Sequence, residues 1–279
     1  MGFAIWQKYE LNRFDVHKVK IKNQKLKKRI RMAVIADLHG HVYGKNNERL
    51  LGAIKDSSPD VCVIPGDLIL AHRKVLRKRR EGFEKELSFV KELTGISPVV
   101  FSPGNHEANL KRIFPYGILS YFQLRESLLG MGILLLENES VVLDINDQKI
   151  NFTGADIDMR FYRKLKGIKM PDGYLEKILP PPKKDLPNVL AAHNPLFFKN
   201  YSSWGADLVL SGHNHGGLIR LPFLGSVVSS QLTLFPKYDA GLFRENDTDM
   251  YVSRGLGTHT INIRINNRAE LVIIDFLPK

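Results

Sequence analysis

The chain has 279 residues, of which 43% are hydrophobic and 25% are charged, as is ordinary for a soluble globular protein of one large domain or two small ones. Its single cysteine, Cys62, excludes an internal disulfide and lies in an apolar run, so we expect it to be buried in the core. The formal net charge of +12 favours anionic partners: a phosphorylated metabolite, nucleic acid or an acidic membrane surface.

No run of the sequence approaches the roughly 18 apolar residues of a transmembrane helix. Residues 1–6 have neither a basic region nor a long apolar core, so they do not form a complete signal peptide. We therefore expect a cytoplasmic protein. Peripheral contact with the acidic inner face of a membrane is compatible with this location. A sequence separated from an upstream anchor would look the same.

Residues 1–30 form a basic N-terminal extension, in which alternating apolar residues around 16–21 predict a first strand. The continuous apolar run 32–36 predicts a buried strand, the apolar face of 46–56 predicts a helix, and 61–64 predicts a second buried strand. Strand, helix and strand within this short span are typical of a βαβ unit with parallel strands.

The same alternation continues toward the C-terminus. Helices are predicted at 82–94 and near 118–130, and a surface loop with a short helix is predicted at 166–187. Further strands are predicted at 98–101, 132–136, 140–145, 149–153, 188–192, 207–210, 226–230, 250–253, 260–265 and 270–276. No internal repeat or linker interrupts the pattern, so we interpret residues 1–279 as a single domain.

Residues that can bind a metal ion follow several of these strands directly. They are carboxylates, an amide and imidazoles, without thiolates, and this combination suits hard-to-borderline divalent cations. Ligand sites of α/β sheets lie just beyond the carboxyl ends of the strands, so residues distant in sequence can meet there. The candidate residues are Asp37, His39, Asp67, Asn105, His106, His193, His213 and His215.

Each of these motifs alone has an ordinary structural interpretation. Asp37-Leu38-His39 fits a surface turn, Asp67 at the end of a strand fits a helix N-cap, and Gly104-Asn105-His106 fits a turn. Residues 212–217 fit a hairpin loop with two solvated histidines. Because the motifs occur together in this order, each near the end of an apolar run, we favour a common metal site.

The ordered motifs resemble the signature of the calcineurin-like metallophosphoesterase superfamily, which is D-x-H, G-D, G-N-H-[DE], a lone H and G-H-x-H. All five motifs are present, and the resemblance covers residues 30–276. Similarity to the bacterial YkuE/YaeI-type branch extends through 212–222, 252–257 and 263–271. Ala36, Asn214 and residues 258–262 depart from the usual pattern of that branch, but no departure removes a candidate ligand.

The resemblance implies an α/β fold in which a two-sheet β-sandwich is flanked by helices. It also implies two divalent cations, with manganese preferred over iron or zinc. One cation would be held by Asp37, His39, Asp67 and His215, and the other by Asp67, Asn105, His193 and His213. A hydroxide that bridges the cations would attack phosphorus, while His106 protonates or hydrogen-bonds the leaving oxygen.

Three further features lie outside these motifs, and two of them have alternative interpretations. Asp156 and Asp158 follow a predicted strand, where they fit either the lining of a substrate cleft or ordinary turn caps. The basic run 73–80 fits an electropositive rim, a helix on a membrane surface or a solvated helix face. The apolar residues within 3–6 suggest a weak contact with a membrane interface.

These features together predict hydrolysis of a phosphodiester, a phosphomonoester or a pyrophosphate, in a small-molecule or lipid-linked substrate. Two alternatives are a nuclease with the same site and an anion-binding module without catalysis. Aromatic residues do not alternate with the basic runs as a platform for single-stranded nucleic acid requires, and this disfavours the nuclease. The complete ligand set and the presence of His106 disfavour the silent module.

Overall fold

Short apolar strands organise the fold, which we describe from a computed structural model. The structure describes residues 2–76, 79, 82–113, 120–163, 168–217, 219–221, 224–228, 234–258 and 262–279. Within these residues the strands are β1 Phe14–Asn23, β2 Ile30–Val34, β3 Val61–Ile64, β4 Val99–Phe101, β5 Leu134–Leu135, β6 Ser140–Ile145, β7 Gln148–Ala155, β8 Asn188–Ala192, β9 Leu208–Ser211, β10 Ile219–Leu221, β11 Gly225–Val228, β12 Gly241–Glu245, β13 Thr248–Val252 and β14 Ala269–Pro278.

Helices connect most of these strands. In the described part of the chain they are α1 Gly2–Leu11, α2 Glu48–Ser57, α3 Arg73–Leu76, α4 Glu84–Thr94, α5 Asn105–Ile113, α6 Tyr121–Gly130, α7 Tyr174–Ile178 and α8 Phe198–Trp204. Short 3₁₀ turns occur at Lys45–Asn47, Met159–Tyr162 and Pro195–Phe197. Among the described helices, none has the length and apolar character needed to span a bilayer.

The strands form two large sheets and a separate hairpin. In the described residues the first sheet has the order β1-β14-β2-β3-β4-β5, and the second has the order β12-β13-β9-β8-β7-β6. Strands β2 to β5 are mutually parallel, as are β7, β8, β9 and β13. The predicted βαβ unit is therefore confirmed, since β2 and β3 pair in parallel across α2. Strands β10 and β11 pair with each other in antiparallel fashion.

The two sheets pack face to face around an apolar core. Met32 and Val63 of the first sheet share one buried cluster with Phe152 and Leu210 of the second. Side chains alternate across each strand, so the neighbouring residues point to the opposite faces. Each fully buried side chain of this size contributes about 2 kcal/mol to folding.

Helices cover the outer face of each sheet. On the first sheet, Ile35 and Cys62 pack with residues of α2, α4 and α6, and burial raises the pKa of the Cys62 thiol to about 11. On the second sheet, Leu190 and Val252 pack with residues of α7 and α8. The fold is therefore a two-sheet β-sandwich flanked by helices, which confirms the predicted class.

Several segments differ from the sequence-based predictions. Residues 2–11 of the basic extension are helical, and Gln7 anchors α1 through hydrogen bonds to the backbone of Arg264. Strands β10 and β12 and helices α5 and α8 were not predicted. The predicted strand at 260–265 is wrong for its described residues, where only Ile265 makes an isolated bridge, and 260–261 lie outside the described residues. Parts of the predicted elements at 118–130, 166–187 and 226–230 also lie outside them.

Candidate metal centre

The candidate ligands lie at the carboxyl ends of strands from both sheets. Asp37 and Asp67 follow the parallel strands β2 and β3, and Asn105 begins α5 just after β4. The strands β8 and β9 of the second sheet lead to three histidines: His193, His213 and His215. Because parallel strands end at the same edge of each sheet, these distant residues meet at one end of the sandwich.

One group of ligand atoms comes from Asp37, His39 and His215, and these atoms lie within 4.8 Å of one another. The Nε2 atoms of His39 and His215 are 3.1 Å apart, and His215 Nε2 is 3.4 Å from Asp37 Oδ1. All three side chains are buried. We call this group the Asp37 half of the site.

A second group comes from Asp67, His193 and His213, again within 4.8 Å, with His193 Nε2 3.0 Å from Asp67 Oδ2. We assign Asn105 to this group because it adjoins His106, whose backbone N–H donates to Asp67 Oδ1 at 2.8 Å. These four residues form the Asp67 half. The two halves adjoin, since His39 Nε2 lies 3.8 Å from Asp67 Oδ2.

Backbone carbonyls fix the orientation of three imidazole rings. The Nδ1 atoms of His39, His193 and His215 face the carbonyl oxygens of Ile69, Pro65 and Gly257 at 3.3, 2.9 and 3.2 Å. A carbonyl oxygen only accepts, so each Nδ1 carries a proton and each Nε2 is directed into the cluster. This arrangement is typical of metal-bound histidines, whose second nitrogen donates to a fixed acceptor.

The donor atoms themselves fit divalent cations. The Nε2 atoms of His39 and His215 can share only one proton at 3.1 Å, whereas a cation can accept a lone pair from both. Asn105 Oδ1 is buried and has no hydrogen-bond partner among the described residues, and a bound cation would satisfy it. Carboxylate, amide and imidazole ligands suit manganese, iron and zinc.

The pKa values of the buried acidic and imidazole groups are shifted by burial and by the charges of their neighbours. Burial raises the pKa of the Asp37 carboxyl to about 7. Burial also acts to raise the pKa of Asp67, but the imidazoles of His193 and His106 outweigh it and hold this pKa well below the ordinary value. Despite its own burial, His193 has a pKa raised to about 9 by Asp67 and Asp37. Divalent cations would replace these protons as the balancing charge.

The turns that carry the ligands are strained. Five of the proposed ligands have φ between 50° and 70°: Asp37, His39, Asp67, His213 and His215. The left-handed region is uncommon for residues with a Cβ, and such residues cluster at functional sites where the surrounding structure enforces them. The strained turns aim the side chains of successive strands at one point.

Two glycines allow the turns to approach the carboxylates closely. A Cβ at Gly104 would overlap the side chain of Asp67, and a Cβ at Gly255 would lie 2.8 Å from the Cβ of Asp37. Gly255 also has φ +69°, which other residues adopt with strain. Larger residues at either position would displace a candidate ligand.

His106 lies beside Asp67 at the edge of the cluster. Its Nδ1 accepts a hydrogen bond from the backbone N–H of Ala71 at 2.9 Å, and its Nε2 lies 3.9 Å from Asp67 Oδ2. The neutral ring therefore carries its proton on Nε2, which faces the cluster. Burial lowers the pKa of His106, so the neutral form dominates near pH 7.

Glu107 supports the Asp67 half, although the sequence analysis gave it no role. Its buried carboxylate accepts hydrogen bonds from the backbone N–H groups of Asp67, Gly104 and Ile69 at 2.9, 2.8 and 3.2 Å. Burial raises its pKa to about 7. The acidic residue that ends the G-N-H-[DE] motif is the sequence signal for this support.

A C-terminal segment supports the Asp37 half, and no motif in the sequence indicated this. The amide of Asn267 donates to the carbonyl oxygens of His215 and Gly217. Buried Arg264 donates to the carbonyl oxygen of Gly257 at 2.7 Å, and this same oxygen faces His215 Nδ1. Tyr162, also not predicted, packs edge-on against the ring of His213 with centroids 5.2 Å apart.

The structure does not bring Asp156 and Asp158 into either ligand group. Asp158 caps the turn Met159–Tyr162 by accepting from the backbone N–H of Arg160 at 2.7 Å. Asp156 lies 3.8 Å from Lys111 Nζ, and burial raises its pKa to about 6. Asp158 is therefore a turn cap, and a role of the pair in substrate binding stays a prediction.

The basic run 73–80 is described only in part. Arg79 makes a two-pronged ion pair with Glu86, with nitrogen–oxygen distances of 2.9 and 2.7 Å. Arg73 begins α3 and is exposed. Residues 77, 78 and 80 lie outside the described residues.

A β-sandwich with carboxylates and imidazoles gathered at its strand ends is the arrangement expected of a metal-dependent phosphoesterase. The calcineurin-like phosphoesterase family model matches residues 30–217, which is more than half of the chain. The chain therefore belongs to the calcineurin-like phosphoesterase family, and the predicted resemblance is confirmed. The C-terminal segment that supports the Asp37 half lies beyond the matched residues.

Several known proteins are similar to this chain. An uncharacterised metallophosphoesterase of Campylobacter jejuni is 29% identical over 95% of this chain, which spans 64% of that protein's length. Phosphodiesterase YaeI of Escherichia coli is 24% identical over 80% of this chain and 72% of its own length. The phosphopantetheinyl hydrolase of Mycobacterium tuberculosis has a solved structure with a TM-score of 0.45 and 16% identity, over 81% of this chain and 89% of that one.

Proposed function

We propose that this protein is a phosphodiesterase that uses two divalent cations, manganese by preference and iron or zinc otherwise. The observation that carries the proposal is that the Asp37 and Asp67 groups adjoin, with His39 3.8 Å from Asp67. His39 and Asp67 also form a third group of metal-capable residues with His106. The similarity to YaeI, whose name is phosphodiesterase, supports a diester over a monoester or a pyrophosphate.

Each cation has four proposed ligands from this chain. The first would be held by Asp37, His39, Asp67 and His215, and the second by Asp67, Asn105, His193 and His213. Bound there, the cations would neutralise phosphoryl charge and make hydroxide available near neutral pH. The neutral amide of Asn105 limits the negative charge around an anionic substrate, and the chain's net charge of +12 attracts that substrate.

His106 is the proposed general acid. Ala71 holds its Nδ1 as an acceptor, so the proton of the neutral ring is on Nε2, the nitrogen nearer to Asp67. From this position Nε2–H can donate to the leaving oxygen of a phosphoester. Proton donation of this kind typically accelerates a reaction by roughly 10² to 10⁴.

The experiment starts with protein stripped by a chelator. Manganese, iron or zinc is then added, and hydrolysis of bis(p-nitrophenyl) phosphate is compared with that of p-nitrophenyl phosphate. We expect manganese to restore diesterase activity most strongly, with a smaller rate on the monoester. No response to any metal on either substrate, from folded protein, would reject the hydrolase. Cleavage of plasmid DNA in preference to the small diester would redirect the proposal to a nuclease.

The first variant to test is His106→Ala. We expect kcat for the diester to fall by roughly 10² to 10⁴ while elemental analysis still finds two metal ions per chain. The loss should be greater for an alkyl leaving group, which needs protonation more than p-nitrophenolate does. His17→Ala, on the exposed face of β1, is the control and should leave kcat unchanged. An equal loss of metal would assign His106 to binding instead of proton transfer.

A further inference from the structure

Two segments near the metal centre expose large apolar side chains to solvent. Within residues 2–11, Ile5, Trp6 and Tyr9 of α1 are exposed. In and beside the β10–β11 hairpin, five more are exposed: Ile219, Leu221, Leu224, Leu234 and Phe235. The last three of these are each at least 60% accessible. Soluble monomers rarely leave contiguous apolar surface of this kind uncovered, and such surface marks a contact with a partner or a membrane.

The two exposed segments are neighbours. Gln7 of α1 binds the backbone N–H and C=O of Arg264 through its side chain. The next residue, Ile265, contacts β10. Its carbonyl oxygen accepts a hydrogen bond from the backbone N–H of Arg220 at 3.1 Å, and Ile265 forms an isolated β-bridge with Ile219. Residues 264 and 265 therefore hold α1 and the hairpin side by side.

Cationic side chains accompany the apolar ones. Ile5, Lys8, Tyr9, Asn12, Arg13 and Arg49 line one open cavity of about 540 Å³. Arg13 lies over the ring of Tyr9, and Lys237 is exposed beside the hairpin. The acidic residues of these segments are paired, Glu10 with Arg268 and Asp239 with Arg220, so the remaining charge of the surface is positive.

We propose that α1 and the β10–β11 hairpin together dock this protein on an anionic phospholipid membrane. Apolar and aromatic residues insert at the boundary of headgroups and acyl chains, and exposed lysines and arginines pair with lipid phosphates. Tyrosine and tryptophan prefer this interfacial region because each combines an apolar ring with a polar group. The charge of the surface selects an acidic membrane over a protein with an uncharged apolar face.

Docking in this way brings the metal centre to the lipid surface. The hairpin follows the ligand His215 after only three residues, and Arg220 donates to the carbonyl oxygen of Gly216 at 3.1 Å. A phosphoester in a lipid headgroup then becomes the accessible substrate class. This consequence rests on the proposed function, whereas membrane docking itself does not.

The test is cosedimentation of the full chain with vesicles. Vesicles of phosphatidylcholine with phosphatidylglycerol are compared with vesicles of phosphatidylcholine alone. We expect binding to the anionic vesicles to be at least roughly tenfold tighter, and to weaken when the salt concentration rises from about 0.1 M to about 0.5 M. Absence of binding to anionic vesicles would overturn the proposal.

Matched phenylalanine variants locate the docking surface. Phe235 of the hairpin and Phe122 of α6 are both 60% exposed, and α6 packs beside β5, at the opposite edge of the first sheet from β1. Phe235→Glu and Ile5→Glu should each weaken vesicle binding by roughly tenfold, since a charge is introduced where insertion is required. Phe122→Glu should bind like the wild type. An equal loss in Phe122→Glu would overturn the proposal.

Two further measurements separate this surface from other roles. Light scattering that finds a dimer of the wild type and a monomer of Phe235→Glu, with no vesicle binding, would assign the surface to self-association and reject docking. Phe235→Glu should keep the hydrolysis rate of soluble bis(p-nitrophenyl) phosphate. If the wild type binds vesicles but hydrolyses nothing with any metal, the proposed function fails while membrane docking stands.

Discussion

The two halves of the metal centre are supported in different ways. The Asp67 half is supported from within the motifs, because Glu107, two residues after Asn105, accepts three backbone hydrogen bonds around Asp67. The Asp37 half is supported by the C-terminal segment, where Arg264 and Asn267 position the loop that carries His215. These supporting residues follow His215 by about 50 positions in the sequence.

A sequence motif can therefore contain every proposed ligand while the residues that orient those ligands lie outside it. The five motifs supply every proposed ligand, but they contain the support for only one half. Residues 255–257 contact β2 and its turn directly, since the N–H groups of Leu256 and Gly257 donate to the carbonyl oxygens of Ala36 and Asp37. A protein with intact motifs and an altered C-terminal segment would therefore lose the geometry of the Asp37 half alone.

The largest expected effect is that of Asp67→Asn, because this carboxylate contacts residues of both halves. We expect kcat/KM for the diester to fall by more than about 10³, since metal ions both activate water and neutralise the phosphoryl group. Elemental analysis should find one metal ion or fewer per chain. Asp247→Asn, at an exposed turn, is the control and should retain both. Two retained metals with full activity would show that neither half depends on Asp67.

Glu107→Gln should weaken the Asp67 half selectively. Glutamine has one acceptor oxygen, and its NH₂ group would face a backbone N–H, so the turn around Asp67 loses hydrogen bonds. We expect metal affinity at this half to fall roughly 10- to 100-fold, and the free energy of unfolding to fall by about 1–3 kcal/mol. Metal titration of the stripped protein measures the first effect, and chemical denaturation measures the second.

Glu137→Gln is the matched control for Glu107→Gln. Its carboxylate accepts hydrogen bonds from Lys111, Tyr121 and Arg125, away from the ligand groups. This variant should lose stability without losing metal affinity. If both variants lost stability and neither lost metal affinity, Glu107 would be a residue of the fold alone.

Arg264→Lys gives the corresponding test of the Asp37 half. The guanidinium donates to the carbonyl oxygens of Arg254, Gly255, Gly257 and Asn267. A single ammonium group cannot reach all four, so the loop that orients His215 should relax. We expect roughly tenfold weaker metal binding at one of the two sites, detected as a second, weaker phase in metal titration. If metal binding weakened equally at both sites, Arg264 would not support the Asp37 half selectively.

The smallest expected effect is that of Gln7→Ala, which removes the two side-chain hydrogen bonds between α1 and Arg264. Stability should fall by about 1 kcal/mol, and hydrogen exchange in α1 should become faster. Activity on the soluble diester should be unchanged, because the guanidinium of Arg264 keeps its own contacts. A clear loss of activity would make α1 part of the support for the Asp37 half.

The sequence determined the strands and the ligand-bearing turns, for local reasons. Continuous apolar runs such as 32–36 and 61–64 gave strands that the structure contains, and the candidate residues follow these runs. The family and the two-sheet sandwich were also predicted and are confirmed. The metal ligands and the role of His106 remain proposals, although their side chains lie together.

Only the tertiary structure decided how these turns are held and what surrounds them. Gln7 of α1 is anchored on Arg264, a contact between residues 257 positions apart that no local pattern indicates. Asp158 proved to be a turn cap, and Glu107 proved to support Asp67, because hydrogen-bond partners depend on where the backbone passes. Residue types and their spacing specify which side chains can bind a metal. Burial and long-range contacts decide their orientation, because these arise only when distant segments pack.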